Sequence, residues 1–220
     1  MEGSAAPDFS ELPRLPEGCS ISLVNFSNLM TKFLVKLNGV YPEHEGLFDS
    51  IQAVELLAKT ESGRETLCEK YYDAVKDDLD DLNDKELATL RRVVNANIFL
   101  QSTGIPEFLD DPSFADSIPI VFAYVNKLNT LARLVHQVSP EMMQAMEDVG
   151  RMFSEDLRSG RVQTIDLEAI GQRVVDRLKE KHGDKPERWL TKQVSILADI
   201  MNDSDQFSQV FNDIVAAKSK

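Results

Sequence analysis

Apolar residues recur along most of this chain with the 3.6-residue period of helices, in blocks separated by Gly, Pro and Asn. The first block is the clearest: Phe26, Leu29, Met30, Phe33, Leu34 and Leu37 stand at offsets 0, 3, 4, 7, 8 and 11, which is one face of an amphipathic helix. Asn25 is its expected N-cap, and Asn38-Gly39 followed by Pro42 its expected stop. A second helix is predicted over residues 43–59, with Leu47, Phe48, Ile51, Val54, Leu57 and Ala58 inward. Glu61-Ser62-Gly63 reads as a break, after which Leu67, Cys68, Tyr71, Tyr72 and Val75 define a third helix. Asn83 and Glu86 have capping-box spacing, and Leu87, Leu90, Val93, Val94 and Ile98 mark a fourth.

Residues 102–119 hold Gly104, Pro106, Pro112 and Pro119 and read as a long connection with a short turn over 106–109. Ser117 and Pro119 then offer a helix start, since proline has no amide to leave unpaired in the first turn. Val121, Phe122, Val125, Leu128, Ala132 and Val135 form its buried face, ending near Val138. Ser139-Pro140-Glu141 repeats the same start chemistry, for a helix running to about Ser159 with Gly160 in the left-handed closing position. Thr164 is the expected cap of the next helix, stopped at His182-Gly183. Asp184 and Pro186 open another, and a last one is expected over 204–217 with Phe207, Val210, Phe211 and Ile214 inward.

No run alternates with period 2. The expected fold class is therefore all-α, a multi-helix bundle or array of eight to nine helices. Pro7, Pro13 and Pro16 make residues 1–24 an irregular arm. The Pro-containing connection divides an acidic N-terminal lobe, 25–101, from a C-terminal lobe, 117–217, unless the two form one continuous domain. No self-similar spacing suggests a helical solenoid.

Composition narrows the classes of partner. At 42% hydrophobic and 28% charged residues the chain is of ordinary globular type, but its formal net charge is −13. Such a surface repels phosphates and anionic headgroups, so nucleic acid is not an expected partner. No apolar run approaches the roughly 20 residues of a membrane-spanning helix. Residues 1–9 lack the basic and apolar regions of a secretory signal, so an intracellular location is expected. Cys19 and Cys68 are the only cysteines, too few for a disulfide framework.

Motif-bearing chemistry has no foothold. His44, His136 and His182 are far apart, and none lies in a zinc-binding helix motif or beside a cysteine pair. Cys68 is flanked by Glu65 and Glu69, which would raise a thiol pKa where a nucleophile needs it lowered. Glycine-rich phosphate loops, Rossmann fingerprints and nucleophile elbows are missing. The acidic run over 77–84 lacks the central glycine and spacing of a calcium loop. No catalytic residue, metal ligand or cofactor is therefore expected.

What remains are surfaces. Residues 41–90 carry 14 acids against 5 lysines and arginines, and Asp77, Asp78, Asp80 and Asp81 are candidates for an acidic docking patch. Met142, Met143, Met146 and Met152 give one helix a broad methionine stripe, suited either to a core or to an adaptable partner or oligomer contact. Arg173, Arg177 and Lys181 stand four residues apart, with Asp176 and Glu180 interleaved, as on a salt-bridged solvent face. Trp189 aligns with Leu190, Leu197 and Ile200, as a core anchor or an interface hot spot would.

Phe33-Leu34-Val35-Lys36-Leu37 followed by Val40-Tyr41-Pro42-Glu43 resembles the opening of small helical proteins of nucleo-cytoplasmic large DNA viruses. Asp84-Lys85-Glu86-Leu87, Val121-Phe122-Ala123-Tyr124-Val125-Asn126-Lys127-Leu128 and Leu157-Arg158-Ser159-Gly160 are similar too, so the resemblance spans about 26–160. Leu87-Ala88-Thr89-Leu90 departs from it where paired aromatics are expected. The resemblance implies a viral protein, acting in the infected cell or packaged in a particle, and identifies no active residue. The expected function is a non-enzymatic helical interaction protein, viral structural or accessory, binding protein partners, a second copy or virion components. The alternative is an enzyme whose site is assembled from dispersed carboxylates and arginines.

Overall fold

The apolar period of the first block closes around Phe26, Met30, Phe33 and Leu34, all essentially inaccessible to solvent. In the computed structural model, which describes residues 21–79, 86–159, 161 and 167–202, they line helix α1 (Ile21–Val40). It is followed by α2 (Glu45–Ala58), α3 (Glu61–Val75), α4 (Leu87–Ala96) and a single turn, α5 (Ile105–Phe108). A 3-10 segment (Pro112–Ser117) leads into α6 (Ile118–Gln137), then α7 (Pro140–Arg158), α8 (Leu167–His182) and α9 (Glu187–Asn202). Eight of these helices have ten residues or more, and no strand occurs among the described residues. The fold is all-α, a multi-helix array.

Proline stands at the start of α6 and α7 as predicted, although Ser117 makes no side-chain capping bond at α6. Pro119 occupies the first turn of α6, and the Ser139 hydroxyl accepts from the Met142 amide at 3.2 Å at the head of α7. Boundaries differ from expectation at several points: α4 ends at Ala96, short of Ile98, which is exposed, and α1 runs through Asn38-Gly39 to Val40. Helix α1 already includes Ile21, four residues before the expected cap Asn25, and buried Ser22 and Leu23 extend its packing face by a turn. Glu61-Ser62-Gly63 is the first turn of α3, not a break: Thr60 caps it, accepting from the Gly63 amide at 3.1 Å. A Cβ on Gly63 would lie 2.1 Å from the Leu57 carbonyl oxygen. That glycine permits the close approach of α2's end to α3's start.

Helices α1 and α3 pack on each other and each on α2 and α6, α7 pairs with α8, and α9 touches α6 and α8. Buried apolar residues from Leu23 to Leu197 form one cluster, to which the connection over 102–116 contributes. Its own Ile105, Leu109 and Phe114 are buried. Phe26 of α1 meets Tyr71 of α3 edge-on, with ring centroids 5.3 Å apart. The Tyr71 hydroxyl reaches α6, its one proton shared between Asn129 Oδ1 at 2.8 Å and the Val125 carbonyl at 3.1 Å. The connection docks on the start of α2 through a stacked pair, Tyr41 and Phe108, with centroids 3.9 Å apart. The expected 204–217 helix and the Asn83 and Thr164 caps lie outside the described residues.

Candidate functional site

Helix α2 carries two apolar stripes where one was expected. Leu47, Ile51 and Val54 are buried against α1 and α3. Phe48, predicted inward, is 57% exposed, and Leu56 is 66% exposed. The two are eight residues apart, so they share a face turned away from the core, with Gln52 midway between them. Helical projection explains the correction: an arc holding both Leu47 and Phe48 is wider than one neighbouring surface covers, and Leu47 wins the core. A shallow groove of about 480 Å³ lies on this outer face, lined by Asp49, Gln52, Ala53, Glu55, Leu56 and Lys59.

The next helix adds charge. Glu61, Glu65, Glu69 and Asp73 of α3 fall at i, i+4, i+8 and i+12, and all four are exposed. Like charges at this spacing oppose each other along a helix. Only Asp73 of the four has a recorded cationic partner, Lys76 at 3.1 Å, which holds that lysine's pKa above its ordinary value. The outward faces of α2 and α3 thus combine two uncovered apolar side chains with a line of carboxylates.

The predicted acidic patch is distributed differently. Asp77 is exposed, but Asp78 accepts from two nitrogens of Arg92, Nε at 3.1 Å from each carboxylate oxygen and Nη2 on Oδ1, tying the end of α3 to α4. That carboxylate holds the fold together and is not free for a partner. Asp80 and Asp81 lie outside the described residues.

The methionine stripe also divides. Met142 and Met146 are buried, as are Val149 and Phe153, so these methionines serve the core and not a partner contact. A stripe centred on them faces α8 and the body of the protein, leaving no accessible sulfur along its middle. Met143 is half-buried, its sulfur accepting a weak hydrogen bond from the Ser22 hydroxyl at 3.5 Å. Met152 alone of the four is exposed, at 51%.

Met152 borders a second groove, about 440 Å³, with Val149, Arg173, Asp176, Arg177 and Glu180. Its arginines are engaged across the helix pair, not only along α8 as the spacing suggested. Asp148 of α7, its side chain 11% exposed, receives Arg177 Nε at 3.3 Å and Lys181 Nζ at 2.5 Å. Asp156 receives Arg173 at 3.5 Å and Arg161 at 3.1 Å. Glu180 and then Asp148 raise the Arg177 pKa further above its already high ordinary value. The groove's charges neutralise one another.

Other chemistry-bearing side chains are spent on structure. Burial pushes the Cys68 thiol up to about 12, so it is not a thiolate at neutral pH. His44 stands edge-on to Phe108, and His136 stacks on Tyr72 at 4.4 Å. Trp189 is partly buried against the core, with Lys185 Nζ 5.5 Å from its ring centroid. No group of three or more potential metal ligands occurs among the described residues. None of the described helices is long and apolar enough to cross a membrane. Compared with known protein families, with curated proteins and with solved structures, the chain matches none.

Proposed function

We propose that this chain is a non-enzymatic interaction protein that engages a protein partner through the outer face of α2. The observation that carries the reading is the pair Phe48 and Leu56, each more than half exposed and on one helical face. Covering a side chain of either type is worth about 1.5–3 kcal/mol when burial is complete, and most of that remains to be gained here. Single exposed apolar residues are common on monomers. Two large ones in register along one helix, beside a groove, form the beginning of a contact. On the resemblance of residues 26–160 to helical proteins of large DNA viruses, the partner proposed is a virion or host-cell component.

The enzyme alternative would centre on the α7–α8 groove, where two arginines and two carboxylates converge beside exposed Met152. Its arginines are paired with Asp156 and Asp148 of α7 at the distances given above, which favours a role in joining the two helices. A decisive test compares the wild-type chain with Phe48→Glu/Leu56→Glu in affinity purification from the source cell, followed by reconstitution with the purified captured protein. Direct binding that is lost in the double variant supports the proposal. Equal binding by both chains, or turnover of a substrate that depends on Arg177, would count against it.

A further inference from the structure

Resting on that reading, we infer that the occupant of the α2 face is a basic amphipathic α-helix of another protein. Phe48 and Leu56 are about 12 Å apart along the helix axis, from eight residues at 1.5 Å each. That span matches apolar side chains seven or eight residues apart on a docked helix. The surroundings set the sign of its charge: Asp49 and Glu55 border the groove against a single lysine, Lys59, and the carboxylate line of α3 runs along the adjoining helix. A helix carrying lysines or arginines beside its apolar edge would cover the two side chains and relieve repulsion along α3.

A second copy of the chain fits poorly. With two α2 helices antiparallel about Gln52, Phe48 would face Leu56 of the second copy, but Asp49 would face its Glu55, between two bodies each of net charge −13. Nucleic acid and anionic membranes share the same unfavourable sign.

The test uses the full chain and three labelled synthetic peptides of about 18 residues: a Leu/Lys amphipathic helix, a Leu/Glu helix of the same pattern, and a Leu/Lys peptide scrambled to abolish amphipathicity. The expected result is saturable binding of the Leu/Lys helix alone, weakening about tenfold or more between ~50 and ~300 mM salt. Phe48→Glu/Leu56→Glu should lose about tenfold or more, and Glu61→Gln/Glu65→Gln/Glu69→Gln should flatten the salt dependence. Both sets of side chains are exposed, and circular dichroism checks that helicity is retained; Phe48→Ser serves if the double glutamate variant unfolds. Equal binding of the scrambled peptide, or binding indifferent to Phe48 and Leu56, overturns the inference as mere charge attraction. A concentration-dependent dimer lost in the Phe48 variants would assign the face to a second copy. Failure of the Leu/Lys helix, with the captured cellular protein still requiring Phe48 and Leu56, would overturn this occupant and leave the function standing.

Discussion

The Tyr71 hydroxyl donates to Asn129 Oδ1 at 2.8 Å, joining α3 to α6 across 58 residues of sequence. Both side chains are buried, and the same hydroxyl also reaches the Val125 carbonyl at 3.1 Å. Replacing Tyr71 with Phe removes the donor and leaves the amide oxygen of Asn129 in an apolar interior. We expect a loss of about 1–2 kcal/mol in stability, read from urea denaturation, with little change in helical signal before the transition.

Burial also holds the Tyr71 phenol well above its ordinary value of 10.0 and the Cys68 thiol at about 12, against an ordinary 9.0. In both cases the folded state keeps the proton longer than the unfolded chain. The stabilising contribution is therefore complete below the unfolded values and is lost as pH rises, from about 9 towards 12 for Cys68 and above 10 for Tyr71. In a Cys19→Ser background, iodoacetamide should label Cys68 at pH 8 only when urea unfolds the protein. Rapid labelling of the native chain would contradict the burial described.

Much of the helical framework was legible because its signals are local. The periodic block from Phe26 to Leu37, the proline-containing starts of α6 and α7 and the stop at His182-Gly183 all depend on residues within one or two turns. Gly63 misled because a glycine near a helix start reads as a breaker, while its purpose here is contact with a carbonyl six residues back. Phe48 misled because periodicity ranks Leu47 and Phe48 alike until a neighbouring helix has chosen between them. The ion pairs of Asp148 were hidden for a different reason: Arg177 and Lys181 lie 29 and 33 residues away, beyond any rule of helical spacing.

Asp148 supplies a prediction that separates buried from surface charge. Substitution by Asn leaves Arg177 and Lys181 without the carboxylate that joins α7 to α8. The side chain is 11% exposed, so the loss should be about 1–3 kcal/mol. Asp176→Asn, on an exposed residue whose recorded hydrogen bond is to Gln172, should change stability by less than about 0.5 kcal/mol. Urea midpoints for the two variants at low and high salt would test this, and equal effects would show that Asp148 contributes no more than a surface charge.

Three glycines make the sharpest comparison, since one substitution should act in opposite directions. Gly39 lies in the last turn of α1 with nothing within 4 Å of an added Cβ, so Gly39→Ala should stabilise by up to about 1 kcal/mol through helix propensity. At Gly46 a Cβ would stand 1.9 Å from the Ser102 carbonyl oxygen, a backbone atom with little freedom to retreat. At Gly104 the backbone has φ +71°, and a Cβ would meet His44 Nε2 at 2.4 Å. Gly104→Ala thus combines a left-handed conformation with displacement of His44, which stands against Phe108 and so against the Tyr41 stack. Each of the last two should cost more than about 2 kcal/mol, and near-ultraviolet circular dichroism should report the disturbed aromatic cluster in Gly104→Ala. Thermal midpoints that rise for Gly39→Ala and fall for the other two would establish that the 102–116 connection is clamped to the start of α2. Wild-type midpoints for Gly46→Ala and Gly104→Ala would mean that this clamp does not form.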